Sequence, residues 1–83
     1  KALAVELAPR GVRVNAVAPG NVHTPMNATL ITPEIEREIL AFTPAGRIGL
    51  VDDIGPAVVF LASQEASYVH GVSLLVDGGW VAQ

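Results

Sequence analysis

The apolar positions change period several times along the chain, and each change marks an element. In residues 1–8, good helix formers carry Leu3 and Leu7 at i,i+4 spacing, with Lys1 and Glu6 for a polar side. Pro9 cannot continue that ladder for long, and Gly11 suits a left-handed position just past a helix end. From 12 to 18 the period becomes two. Val12, Val14, Ala16 and Ala18 share one face; Arg13, Asn15 and Val17 share the other. Its β-branched residues and apolar second half predict an interior strand of a covered sheet. Pro19 and Gly20 stop it, because proline lacks a ladder donor and glycine permits unusual dihedrals.

Residues 21–31 show no clean period and read as a loop. Thr32-Pro33-Glu34 is a helix start: threonine caps, proline fits the first helical position, and Glu34 and Glu36 favour the positive end of the dipole. Ile35 and Ile39 then share a face of a short helix ending near Phe42, and 43–50 is irregular again. Residues 51–64 form the strongest helix pattern, with Asp52 and Asp53 in the first turn and Ile54, Val58 and Leu61 at i, i+4 and i+7. Pro56 predicts a kinked or 3₁₀ first turn there. A short strand over 72–76 closes on the turn Asp77-Gly78-Gly79. A strand, a long helical crossover and a second strand imply a parallel pair and the α/β class. The unit closes a sheet; it is not a whole one.

Composition changes that picture in one respect. Hydrophobic residues make up 51% of the chain and charged residues only 16%, against the usual ~25% charged. A small domain has more surface per residue and should be more polar than average. The chain also opens mid-pattern without an initiator methionine, so it reads as a C-terminal piece of a longer protein whose faces are covered elsewhere. The net charge of −3 with five scattered basic residues leaves no electrostatic footprint for nucleic acid or an anionic membrane. Apolar runs fall far short of the ~20 residues that span a bilayer. With no cysteine there is no thiolate metal site, and neither histidine has partners at metal-ligand spacing, so no metal is expected. A cytoplasmic setting fits.

In open α/β sheets ligands bind outside the carboxyl ends of the strands, which directs attention to residues 19–26. Pro19 and Gly20 either let the backbone pass close to a flat ligand or simply turn the chain. Val22 offers an N–H and a C=O in a segment outside any ladder, suited to an amide group. Thr24 offers a hydroxyl, and Pro25 stiffens the chain beyond it.

The segment RVNAVAPGNVHTPM, preceded by KALAVELAPRG and followed by GRIGLVDDIGPAVVFLAS and YVHGVSLLVDGG, resembles the C-terminal third of the short-chain dehydrogenase/reductase family. Four motifs in order cover nearly the whole chain, with only 27–42 idiosyncratic. The resemblance implies the C-terminal segment of a single NAD(P)-binding, Rossmann-like doubly wound parallel sheet. It implies that the Val22 backbone pairs with the nicotinamide carboxamide, that the Thr24 hydroxyl bonds the cofactor, and that Pro19 and Gly20 wall the ring. Residues 27–44 resemble the family's substrate lid, where Met26, Leu30 and Ile31 would suit a nonpolar portion of a substrate. His23 is either a loop side chain turned away from the ring or a substrate contact, and His70 is a solvated or interface residue.

No catalytic residue of the family lies in these residues. Its Tyr-x-x-x-Lys pair, its serine and its Gly-rich phosphate loop are absent; Lys1 lies too late on its helix, and Tyr68 has Val72 four places on. The implied activity is hydride transfer between NAD or NADP and a carbonyl or secondary alcohol, as in 3-oxoacyl-thioester reductases, sugar or polyol dehydrogenases and hydroxysteroid-type enzymes. The resemblance also implies a homotetramer assembled through 51–64 and 72–76. The alternative is a non-catalytic relative or fragment kept as a binding or assembly module. Asn15 is expected to satisfy nearby backbone groups, and Asp52 and Asp53 to be helix-start charges.

Overall fold

The computed structural model describes residues 1–82. Helix α1 (Ala2–Leu7) runs into a 3₁₀ turn (Ala8–Arg10) that ends at Gly11 with φ of 77°, the left-handed exit expected there. Strand β1 (Ala16–Pro19) follows, then β2 (Val22–His23), helix α2 (Pro33–Ala41), β3 (Gly49–Leu50), helix α3 (Val51–Ala62), a 3₁₀ turn (Gln64–Ala66) and β4 (Ser73–Val76). β1 and β4 pair in parallel with Ala16 opposite Ser73 and Pro19 opposite Val76, and α3 lies in the crossover between them. The architecture is α/β with parallel strands.

The first strand is shorter than its alternating pattern suggests. It begins at Ala16 rather than residue 12, because Arg13 and Asn15 spend their side chains on the backbone of the crossover. The Asn15 amide donates to the Val69 carbonyl at 2.9 Å and accepts from the Val72 N–H at 3.0 Å. An amide side chain here does what a ladder residue would do. β4 likewise begins at Ser73, one residue late.

Pro19 is the last residue of β1, as expected, and still pairs with Val76. Ala16 N–H donates to the Val72 carbonyl and Gly20 N–H to the Val76 carbonyl. Donors to β4 are therefore the even-numbered residues, and the N–H that proline lacks falls on the opposite edge.

Thr32 caps α2 as expected, its hydroxyl accepting from the Ile35 N–H at 3.3 Å. α3 differs from expectation at both ends. No 3₁₀ turn opens it, and Pro56 lies within a continuous α-helix. Pro56 and Asp52 are both exposed, so the carbonyl that proline leaves without a partner faces water. The helix ends at Ala62 rather than 64, since Ser63 is extended with ψ of 167°.

Among the described residues only Ala4, Thr43, Ile48, Leu61 and Ala66 are buried. The radius of gyration is 15.5 Å, against roughly 12 Å for a compact chain of this length. Large apolar side chains stand open on α3 and β4, including Val51, Val59 and Leu75. The low charge content therefore reflects apolar faces and not a large core.

Candidate functional site

The chain leaving β1 turns at Gly20, and the reason for glycine there is internal. A Cβ on Gly20 would lie 2.7 Å from the Asp77 Cβ and 2.8 Å from its Cα. The turn after β4 is the part of the chain that comes close there. Asp77 organises that turn, accepting from the Gly79 N–H at 2.9 Å and the Val81 N–H at 3.1 Å. Pro19 and Gly20 line an open groove of about 500 Å³ with Ala18, Leu75, Trp80 and Val81. Trp80 in turn meets Phe42, at the end of α2, edge to face with ring centres 6.2 Å apart.

Val22 is not outside every ladder. It lies in β2, which pairs in parallel with β3 so that Val22 is opposite Gly49 and His23 opposite Leu50. A two-residue strand has no period to read, which is why the sequence did not announce it. The Gly49 N–H donates to the Asn21 carbonyl at 2.9 Å. In a parallel ladder a residue bonds the neighbours of its opposite number, here Asn21 and His23. The N–H and C=O of Val22 consequently face away from β3.

One further residue holds this edge. The Asn27 side chain donates to the Val22 carbonyl at 2.8 Å and accepts from the Thr24 N–H at 2.9 Å. The Asn27 backbone N–H donates to the Thr24 carbonyl at 3.2 Å and to its hydroxyl oxygen at 3.3 Å. Thr24 is half-buried, and its hydroxyl keeps a proton to donate. Asn27 was legible only as an asparagine three places after a threonine, a turn signal with no indication of its target.

His23 lies in β2, and its Nε2 stands 3.5 Å from an Oε1 of Glu36 on α2, both side chains nearly half exposed. The imidazole thus lies on the side of β2 that faces α2. Met26 is 89% exposed and Leu30 67%, while Ile31 is half-buried. His70 is exposed beside α1.

A smaller cavity of about 170 Å³ lies beneath the loop, lined by Asn21, Arg47, Gly49, Asp53, Asp77 and their neighbours. Pro19, Gly20, Val22 and Thr24 do not line it. Its wall carries a forked ion pair: Arg47 reaches both carboxylate oxygens of Asp53, at 2.8 and 2.9 Å. Asp53 also accepts from the Leu50 N–H at 2.7 Å, half of a capping box. The Arg47 bonds, then the Leu50 N–H, hold the Asp53 carboxyl well below the usual carboxylate range. Arg47 is raised in return. Asp53 is thus a helix-start charge, as expected, with a partner the sequence did not reveal. Among the described residues no three histidine, aspartate or glutamate side chains gather as metal ligands, and no helix is long and apolar enough to cross a membrane.

Residues 1–81 match the family model described as Enoyl-(Acyl carrier protein) reductase. The 3beta-hydroxysteroid dehydrogenase 1 of Eggerthella lenta is 48% identical over 80 residues, which are 95% of this chain and 31% of that protein. A solved structure from Agrobacterium tumefaciens with bound NADP, described as a 2-deoxy-D-gluconate 3-dehydrogenase, superposes with a TM-score of 0.94 at 48% identity. The overlap covers 100% of this chain and 34% of that one. A short-chain type dehydrogenase/reductase from Mycobacterium ulcerans gives a TM-score of 0.94 at 35% identity over 99% of this chain and 30% of that one. The chain spans about a third of the length of the curated relatives it matches. Its parallel α/β layout is the C-terminal part of a Rossmann-like doubly wound sheet. On the family match along nearly its whole length, the chain belongs to the short-chain dehydrogenase/reductase family.

Proposed function

We propose that this chain forms the nicotinamide-side edge of an NAD(P)-dependent oxidoreductase that moves a hydride between the cofactor and a carbonyl or secondary alcohol. One observation carries the reading. The N–H and C=O of Val22 both face away from β3, just beyond the carboxyl end of β1. A donor and an acceptor on one side of one residue are the complement of a carboxamide. They fit the nicotinamide group, with the Thr24 hydroxyl two residues on as a further donor.

Bound there, the nicotinamide ring supplies the hydride chemistry; the protein supplies placement. Val22 fixes the carboxamide and so selects which ring face meets the substrate. Thr24 anchors the same end, and Pro19 and Gly20 form the adjacent wall. Orientation of this kind lowers a barrier by roughly 7–11 kcal/mol at best. The segment 27–44 acts as the lid, and the exposure of Met26 and Leu30 supports contact with a nonpolar part of the substrate, to which Ile31 and His23 also contribute in this reading. Relatives named for a steroid and a deoxy-sugar acid support a secondary alcohol on a ring or sugar frame. The serine, tyrosine and lysine of the reaction belong to residues outside these 83. The open apolar faces of α3 and β4 support assembly as a homotetramer, and the cytoplasm is the proposed location.

The test is the full-length protein with NADH and NADPH. Cofactor-dependent turnover of a secondary alcohol or ketone is expected, with Thr24→Ala raising the cofactor Kd about tenfold, the effect of losing one hydrogen bond. A full-length protein without Tyr-x-x-x-Lys shortly before Lys1, or one that binds neither cofactor, overturns the enzyme reading in favour of the assembly module.

A further inference from the structure

Asn27 belongs by position to the lid, where its carbonyl accepts from the Leu30 and Ile31 N–H groups, yet its side chain and its own N–H reach back to the cofactor edge. Its amide spans two residues with opposite needs: the Nδ2 donor meets the Val22 carbonyl at 2.8 Å, and the Oδ1 acceptor meets the Thr24 N–H at 2.9 Å. Val22 can only accept there and Thr24 can only donate, so a single orientation of the amide satisfies both. Its backbone N–H closes the ring onto the Thr24 hydroxyl oxygen and carbonyl. No regular element otherwise holds this stretch, since β2 ends at His23 and α2 begins only at Pro33.

We infer that Asn27 is a positioning residue that presets the Val22 carbonyl and the Thr24 hydroxyl for an amide-bearing ring. The inference rests on the nicotinamide reading and adds a residue to it. A carbonyl has two lone pairs; Asn27 occupies one and thereby fixes the direction of the other. By accepting the Asn27 N–H, the Thr24 oxygen is committed as acceptor to the protein, and its proton is turned toward a ligand. Asn27 touches neither cofactor nor substrate in this scheme. It acts through Val22 and Thr24.

The test uses the full-length protein with NAD(P)H and with the reduced 3-acetylpyridine analogue, whose acetyl group lacks the amide donor that the Val22 carbonyl would accept. Dissociation constants are read by cofactor fluorescence, and amide hydrogen exchange is read in the ligand-free protein. Asn27→Ala is expected to weaken NAD(P)H binding about tenfold, the loss of a hydrogen bond or two, and to weaken the analogue severalfold less. The Thr24 amide should exchange faster. Asn27→Asp keeps the acceptor for Thr24 but cannot donate to Val22. It should leave the Thr24 amide protected while weakening NAD(P)H binding as much as Asn27→Ala does.

Equal weakening for both cofactors would overturn the inference, because loosening of the loop alone makes no distinction between an amide and an acetyl group. So would native-like binding by Asn27→Asp, or unchanged Thr24 exchange in Asn27→Ala. Native protein that binds neither cofactor overturns the nicotinamide reading and this inference with it; exchange at Thr24 then still reports whether the clasp exists.

Discussion

Arg13 donates to the Leu61 carbonyl at 2.7 Å, from just before β1 to the last turn of α3, 48 residues away. The same guanidinium reaches the Ala66 carbonyl at 3.0 Å and the Ser63 carbonyl at 3.1 Å. The end of a helix leaves carbonyls without partners and carries partial negative charge. Arg13 meets both needs at once, where the chain leaves the helix. Replacing it with alanine is expected to cost about 2–4 kcal/mol, because three charged hydrogen bonds are lost and the Leu61 carbonyl loses its partner. The Ser63 and Ala66 carbonyls keep the N–H groups of Ala66 and Val69. Arg13→Lys should recover no more than half, since one ammonium cannot span three carbonyls held by a planar fork. Urea unfolding of both variants against the native protein checks the order; equal stability of all three would refute it.

The features legible in the sequence and those hidden from it divide along range. Elements with a period or a local cap were legible: the Thr32 cap, the left-handed Gly11, the helix from Val51 and the parallel pairing of the two strands. The first three depend on residues within a few positions of one another, and the parallel pairing follows from the long helical crossover that separates the strands. The hidden features depend on partners far away or on side chains standing in for backbone. Arg13 and Asn15 have the alternation of strand residues, yet their side chains serve the crossover, so β1 starts late. β2 and β3 are too short for any period. At the site, Val22 and Thr24 follow from position after β1, but the role of Asn27 emerges only once the loop is folded. The glycine at 20 was legible as a close approach, and Asp77 is the group the fold brings against it.

The forked pair of Arg47 and Asp53 sets a pH dependence. Asp53 has its carboxyl lowered first by the Arg47 bonds and then by the Leu50 N–H. A carboxyl depressed on folding adds stability above its unfolded value, about 3.9 for aspartate, and loses it as pH falls toward the lower folded value. The upward shift of Arg47 acts only in strong alkali and leaves this window untouched. The native protein should therefore lose stability more steeply than Asp53→Asn between about pH 5 and pH 3. The pair is exposed, so the difference at neutral pH should be small and shrink further with salt. Urea midpoints at several pH values decide it; parallel slopes for the two proteins would remove Asp53 from the account.

Two glycines permit a paired test of what glycine is for. At Gly20 an added methyl would meet Asp77 at its Cβ and, at 2.8 Å, its Cα. A Cα cannot rotate away, so the β1 exit and the turn after β4 must separate. Gly20→Ala is expected to destabilise by about 1–3 kcal/mol, the range for overpacking a close contact. It should also weaken cofactor binding, because Pro19 adjoins the displaced residue and Val22 lies two positions on. Gly55 lies inside α3 with no residue beyond its chain neighbours and its own helix backbone within 4 Å of an added methyl, and no left-handed φ. There alanine removes the entropy cost of glycine in a helix but sets its methyl against the ring of Pro56, so the two effects offset and Gly55→Ala should change stability by no more than about 0.5 kcal/mol. Thermal unfolding should thus fall clearly for Gly20→Ala and move little for Gly55→Ala. If Gly20→Ala moved no more than Gly55→Ala, the approach of Asp77 would not be what selects glycine, and a ligand passing at that point would supply the explanation.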